Sequence, residues 1–80
     1  MSKTLHSKRH QLLVAAIAQQ RRAKGLSQAQ VAKTLGRHQP FIANIESGQR
    51  RVDVLELLTI ARIIDLDVHA IIERLQQVQD

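Results

Sequence analysis

The stretch from Ser27 to Gly48, SQAQVAKTLGRHQPFIANIESG, decides the fold, because it holds two short helical patterns separated by a glycine. The first pattern has three apolar residues on one helix face, at Val31, Ala32 and Leu35. Ser27 precedes it as an N-cap residue, and Gly36 follows where a left-handed backbone would end the helix. The stretch therefore predicts a helix, a sharp turn and a second helix.

The second pattern runs from about His38 to Ser47 and differs in having a polar face. Its inward pair is Ile42 and Ile45. At about 100° per residue, three residues point away from that pair, namely Pro40, Ala43 and Asn44. Pro40 is compatible with a helix because it falls in the first turn, where its missing N–H has no intrahelical partner to lose. We expect a helix that presents Asn44 outward and ends before Gly48.

Composition excludes several classes of protein. A chain of 80 residues accommodates one small domain. It has no cysteine, so it forms neither a disulfide framework nor a thiolate metal site. It has one Phe and no Trp or Tyr, which excludes an aromatic stacking surface for single strands. Without a long apolar run we expect no signal peptide or membrane span, and we expect a cytoplasmic protein of bacterial or phage origin that needs no cofactor.

The net charge of +5 is unevenly distributed. Met1 to Arg51 hold ten Lys and Arg residues and one acidic residue, a net charge of +9, whereas Val52 to Asp80 hold two and six, a net charge of −4. The basic half contains the two helical patterns. Positive charge of this kind suits a polyanion, since DNA affinity comes largely from neutralised phosphates. On its own it is weak evidence, because a solvated basic face is the commoner meaning of Lys and Arg residues.

Before the central stretch, the pattern predicts a first helix from about Ser7 to Lys24, after a flexible basic N-terminus at residues 1–6. The predicted inward stripe is Leu13, Ala16, Ile17 and Gln20 or Arg21. His6 and His10 have the i, i+4 spacing of a metal-binding pair, but no third ligand is in view. We therefore interpret both as solvated residues near a frayed terminus, and we predict no metal site.

After the central stretch, two more helices complete an all-α, five-helix domain spanning residues 7–80. The fourth helix begins after Asp53, an N-cap that forms a capping box with Glu56, and its predicted core stripe is Val54, Leu57, Leu58, Ala61 and Ile64. The fifth runs from Val68 to about Val78 behind the likewise capping Asp67. These helices carry surplus apolar residues, which favour a dimer interface with residues 68–78 as the dimerisation helix over plain core with a frayed tail. The expected interface residues are Leu55, Ile63, Ile71, Leu75 and Val78.

The central stretch resembles the helix-turn-helix family of the phage lambda repressor and Cro type, also called the XRE family of bacterial and phage regulators. That family opens its motif with S-Q-x-x-[VL]-A-x-x-L-G and closes it with I-x-x-[IL]-E-x-G. Ten residues match, namely Ser27, Gln28, Val31, Ala32, Leu35, Gly36, Ile42, Ile45, Glu46 and Gly48. The resemblance covers about Ile17 to Ile72. It implies a compact lambda repressor-like fold with the helix-turn-helix formed by helices 2 and 3.

The resemblance also implies a buried structural ion pair between Arg21 and Glu46. Three positions depart from the family pattern. Arg37 replaces a hydrophobic residue, His38 replaces a Ser or Thr cap, and Asp65 stands at a usual glycine site. We expect His38 to cap the recognition helix through a ring nitrogen and Asp65 to adopt the left-handed region, which Asp tolerates better than most residues.

In such proteins the second helix of the motif lies in the major groove, and the first crosses the DNA backbone. Carried over by position, the base-reading residues are Gln39, Pro40, Ala43 and Asn44, with Phe41 at the rim. For Phe41 a half-packed core position is an open alternative. The expected DNA-backbone contacts are Gln28, Lys33, Arg37, His38, Ser47, Arg50 and Arg51. We also expect Gln28 to brace Gln39.

These features predict a transcriptional regulator, acting as a repressor, that reads a palindromic operator in double-stranded DNA as a homodimer. The alternative is a protein-interaction module of the same fold, an antitoxin or anti-repressor whose partner, such as a toxin, is a protein. An enzyme is the least favoured class, because no residues have the spacing of a nucleophile, a base and an oxyanion site.

Overall fold

The structure is a computed structural model that describes residues 7–79, and within them it consists of five α-helices without a strand. The helices are α1 (Lys8–Ala23), α2 (Gln28–Leu35), α3 (Gln39–Glu46), α4 (Val54–Ile64) and α5 (Val68–Gln77). The predicted all-α, five-helix architecture is confirmed. The flexible N-terminus expected at residues 1–6, including His6, and the domain end at Asp80 lie outside the described residues.

Local signals in the sequence set the helix ends. Ser27 caps α2 in a capping box with Gln30, and Asp53 caps α4 in one with Glu56. Gly36 ends α2 with φ 73°, a left-handed conformation that glycine adopts without a steric penalty. Asp65 ends α4 at φ 60° as the one non-glycine residue with positive φ in the described part of the chain. The departure at Asp65 therefore keeps the expected backbone.

The core lies where α2 and α3 pack on each other and against α1 and α4. Its largest fully buried side chains are Ile17, Val31, Ile42, Ile45, Ile60 and Ile64. α5 packs on α1, and Arg9 Nε donates at 3.0 Å to the carbonyl oxygens of both Leu75 and Val78, which holds the end of α5 in place. The described chain measures 33 × 28 × 20 Å.

The predicted stripe of α1 is partly wrong. Val14 and Ala18 are buried beside Ile17, whereas Leu13 and Ala16 are half-buried. His10 is also buried, so its interpretation as a solvated residue is wrong, and its Nε2 has no hydrogen-bond partner among the described residues. The helix places His10 one turn before Val14, which puts both on the face that meets the core.

The predicted stripe of α4 is also partly wrong. Ile60 is buried with Leu57, Ala61 and Ile64, whereas Val54 and Leu58 are exposed. The predicted and the observed stripe both have helical spacing. Because α4 is apolar on most of its sides, its sequence pattern alone does not show which of the two faces the core. The choice depends on how α4 meets α2 and α1.

Ile71 cannot serve in an interface between protomers, because it is 2% exposed and belongs to the core of its own chain. Its neighbour Ile72 is the exposed large apolar residue of α5. Ile63 packs partly against the core, and Leu75 and Val78 are half-buried.

Residues 7–79 contain neither a membrane span nor a metal-binding cluster. No helix there is both long enough and apolar enough to cross a bilayer. No group of three or more His, Asp or Glu residues in that part of the chain could hold a metal ion.

Candidate nucleic-acid interface

The outward face of α3 carries the predicted reading residues. Gln39, Pro40 and Asn44 are exposed, and Ala43 is half-buried between them and the core. On the opposite side Ile42 and Ile45 are 1% and 0% exposed, which fixes the rotation of the helix about its own axis. The two side-chain amides therefore point to solvent from a helix that cannot turn without exposing two isoleucines.

Arg21 and Glu46 form an ion pair that joins the end of α3 to α1. Arg21 Nε donates to Glu46 Oε2 at 2.6 Å, and Arg21 Nη2 donates to Oε1 at 3.0 Å. The third bond of this guanidinium, from Nη1 to the carbonyl oxygen of Leu26, is 2.7 Å long and ties down the turn after α1. The two side chains are 10% and 5% exposed, so the pair is structural and unavailable to DNA.

The charge on Glu46 is stable despite its burial. Burial raises the pKa of this carboxyl, but hydrogen bonds from Arg21 and Gln28, with the positive charges of Arg21 and Arg22, outweigh it and leave the pKa below its ordinary value. The hydrogen bond to Glu46 in turn raises the pKa of Arg21. Both groups are ionised at neutral pH.

Gln28 links this ion pair to the reading face. Its Nε2 donates to Glu46 Oε1 at 2.9 Å, and its Oε1 accepts from Gln39 Nε2 at 3.5 Å. Gln28 thus lies against Gln39 as the brace interpretation requires, but its amide is used within the protein. The sequence reasoning missed the bond to Glu46, although both residues belong to the family motif.

Phe41 lies at the edge of the core beneath two arginines. Its ring packs partly against the core cluster, and the guanidinium carbons of Arg37 and Arg50 lie 4.6 and 4.4 Å from the ring centroid. These are cation–π distances. A cleft of about 220 Å³ beside the ring is lined by Leu35, Leu55, Glu56, Thr59 and Ile60. The geometry favours the half-packed core position of Phe41 over contact with bases.

The guanidinium of Arg50, an expected phosphate contact, is paired with a carboxylate of its own chain. Its Nη1 and Nη2 donate to the two carboxylate oxygens of Glu56 at 3.0 and 2.9 Å, and Nη1 also donates to the carbonyl oxygen of Arg51 at 2.6 Å. The hydrogen bonds from Arg50 lower the pKa of Glu56, against its partial burial, and raise the pKa of Arg50. The sequence assigned Glu56 only to the capping box, so its second role was missed.

The remaining residues expected at the DNA backbone are on the surface. Lys33, Arg37, His38, Ser47 and Arg51 are exposed. Ser47 Oγ donates to the carbonyl oxygen of Asn44 at 3.1 Å.

The expectation that His38 caps α3 through a ring nitrogen is wrong. Its backbone has the extended conformation of an N-cap, but its side chain makes no capping hydrogen bond. The N–H groups in the first turn of α3 therefore receive no acceptor from this side chain.

Comparison with known proteins agrees with this geometry. A family model described as helix-turn-helix matches residues 17–71. A solved structure, an XRE-family like protein from Pseudomonas syringae pv. tomato str. DC3000, is 36% identical, with a TM-score of 0.81 over 92% of this chain and 90% of that chain. Among curated proteins the comparison finds no match. With its helix-turn-helix in α2 and α3, this chain belongs to the XRE-type helix-turn-helix family of DNA-binding regulators.

Proposed function

We propose that this regulator is a homodimeric repressor that reads a two-fold symmetric operator by inserting α3 into the major groove. The observation that carries the proposal is the exposed amide face of α3, held in place by two buried isoleucines on one side and by the ion pair of Glu46 at its end. A rigid helix with polar side chains outward is suited to reading base edges, which needs a fixed geometry.

The chemistry of this face suggests what it reads. The amides of Gln39 and Asn44 can each offer a paired donor and acceptor to adenine, and the Ala43 methyl group can touch a thymine methyl. Lys33, Arg37 and Arg51 supply positive charge around this face for phosphates. We therefore expect A·T pairs at the positions that α3 reads.

The dimer part of the proposal rests on α4 more than on α5. Val54, Leu55 and Leu58 form an exposed apolar patch at the i, i+1, i+4 spacing of one helix face, with Leu55 75% and Leu58 49% exposed. Apolar surface of this kind favours association.

The test is binding of selected and random DNA by matched amide variants. Asn44→Ala and Gln39→Ala should each lose about 1–3 kcal/mol on the selected site and little on random duplex. Gln76→Ala removes an exposed amide from α5 and should change neither affinity. Mobility shift or fluorescence anisotropy measures both, and site selection beforehand reports whether the preferred sequence is palindromic.

Two outcomes would contradict the proposal in different ways. Equal losses on selected and random DNA for Asn44→Ala would remove that residue from base reading. No salt-sensitive binding of any duplex by the wild-type protein would favour the protein-interaction module instead, since a DNA-binding surface loses affinity steeply with added salt.

A further inference from the structure

We propose that Glu56 competes with DNA phosphate for Arg50, so that Arg50 stabilises the domain instead of contributing to DNA affinity. Glu56 is then a positioning residue that limits how many phosphates the protein neutralises. This inference rests on the proposed DNA-binding function.

The argument starts from the hydrogen bonds of the Arg50 guanidinium. A guanidinium binds a phosphate best with two parallel N–H groups, the same arrangement it uses for a carboxylate. In Arg50 the two terminal nitrogens already point to the two oxygens of Glu56, at 3.0 and 2.9 Å. A second N–H of Nη1 is bonded to the carbonyl oxygen of Arg51. The edge between Nη1 and Nη2, one of the two edges that can hold a phosphate, is therefore occupied by a carboxylate of the same chain, and that carboxylate also balances the charge of Arg50.

The surroundings of Arg50 keep it there. The guanidinium lies over the Phe41 ring, and Phe41 is packed against the core. Glu56 is held from its other side, because the backbone N–H of Asp53 donates to its Oε1 at 3.0 Å as part of the capping box of α4. A phosphate at the Nη1/Nη2 edge would have to displace a carboxylate that is also held by the backbone N–H of Asp53, and a phosphate elsewhere on Arg50 would meet a guanidinium whose charge Glu56 already balances.

Arg37 provides the contrast within the same cluster. It lies over the same ring at 4.6 Å, is exposed, and forms no salt bridge with a carboxylate within residues 7–79. The two arginines on the Phe41 ring thus differ in whether a carboxylate pairs with them. Arg37 offers a charge to DNA, and the charge of Arg50 is neutralised before DNA arrives.

Glu56→Gln is the informative substitution. Glutamine is as good as glutamate at this capping-box position, so it keeps an acceptor for the Asp53 N–H while it removes the negative charge that holds Arg50. The slope of log affinity against log salt changes by about 0.9 for each phosphate neutralised on duplex DNA. We expect Glu56→Gln to steepen this slope by about 0.9, which corresponds to an affinity gain over wild type that grows about 3.5-fold between 200 and 50 mM salt. Glu73→Gln makes the same change of net charge at an exposed site on α5 and should leave the salt slope unchanged.

Arg50→Gln in the wild-type background tests directly whether Arg50 contributes to DNA affinity. This test does not depend on whether the Glu56 variant folds. It should leave the slope as it is, as should Arg62→Gln, its charge-matched control on α4, whereas Arg37→Gln should flatten the slope by about 0.9. In the double variant Glu56→Gln, Arg50→Gln, the gain from Glu56→Gln should disappear.

The measurements are salt titrations of random and selected duplexes by anisotropy, with thermal unfolding to verify that each variant is folded. A flatter slope for Arg50→Gln, or an unchanged or flatter slope for Glu56→Gln while wild type binds DNA, would overturn the inference and leave the proposed function standing. A wild-type protein without salt-sensitive DNA binding would overturn both.

Discussion

Glu46 is the residue on which three helices depend. It ends α3, and it accepts hydrogen bonds from Arg21 of α1 and from Gln28 of α2. With its side chain 5% exposed, it is a buried charge whose partners were placed by the fold. A buried ion pair is not in itself strong evidence for stability, but loss of one partner strands the other charge.

We expect Glu46→Gln to lower the free energy of unfolding by about 3–5 kcal/mol, because the nearly isosteric amide leaves the Arg21 charge buried without a counter-charge. Chemical denaturation at pH 7 measures the loss. Since the folded-state pKa of Glu46 is lowered, its contribution is present above the unfolded value of about 4.3 and is lost as the pH falls through the lower folded value.

Wild type should therefore lose stability as the pH falls below about 4, and Glu46→Gln should lose less over that range. Glu73→Gln, at an exposed site on α5, serves as the control, and its free energy of unfolding should match that of wild type at pH 7 and in the acid range. Equal acid sensitivity of wild type and Glu46→Gln would show that the ion pair does not determine the pH dependence.

At the scale of the helix, α3 begins without the side-chain cap that its neighbour has. His38 has φ −79° and ψ 153°, and Ser27 before α2 has φ −83° and ψ 163° with its hydroxyl accepting from the Gln30 N–H. The two backbones are nearly the same, so a small polar residue at position 38 would fit the cap without rearrangement.

We expect His38→Ser to stabilise the domain by at most about 1 kcal/mol, because the serine hydroxyl can accept from the N–H of Phe41, whose acceptor is now the carbonyl oxygen of His38 at 3.0 Å. Ser27→Ala is the matched reverse change and should destabilise by about the same amount. Denaturant midpoints of both variants give the comparison. A His38→Ser protein less stable than wild type would mean that the imidazole contributes packing that its exposure does not suggest.

Features set by neighbouring residues were predictable, and those set by packing between helices were not. The caps at Ser27, Asp53 and Asp67 follow from local hydrogen bonding, and the structure has all of them. The burial of His10 and the exposure of Leu58 depend on which face of each helix meets its neighbour, and a nearly all-apolar helix such as α4 does not disclose that face.

The same limit applies to the candidate site. The amide face of α3 was predictable because the inward isoleucines fix it. The pairing of Arg50 with Glu56 was not, because the carboxylate already had a satisfactory role in the capping box, and a second partner across a loop leaves no periodic signal.

At the scale of the molecule, the dimer proposal assigns the exposed patch of α4, Val54, Leu55 and Leu58, to the contact between protomers. We expect Leu55→Gln and Leu58→Gln to raise the dissociation constant of the dimer at least about tenfold, since an isologous contact loses each side chain twice and a buried leucine contributes about 1.5–3 kcal/mol. Sedimentation over a dilution series measures the change.

Ile72→Gln is the control, because it makes a similar change at the exposed apolar residue of α5. It should leave the dissociation constant unchanged, and thermal unfolding at a concentration where wild type is monomeric should be similar for all three variants. Dissociation by Ile72→Gln alone would move the interface to α5, and a wild-type monomer at every concentration would reject the dimer.

The chain of bonds from Glu46 through Gln28 to Gln39 has a directional consequence. A carboxylate only accepts hydrogen bonds, so Gln28 directs its NH₂ group to Glu46 and its oxygen to Gln39. Gln39 then donates to that oxygen from its own NH₂ group. The 2.9 Å bond holds the Gln28 amide in one orientation, and the longer 3.5 Å contact favours the orientation in which Gln39 directs its NH₂ group to Gln28. The sign of one buried charge thus favours one hydrogen-bonding orientation of a side chain two hydrogen bonds away from it, on the surface proposed to read DNA.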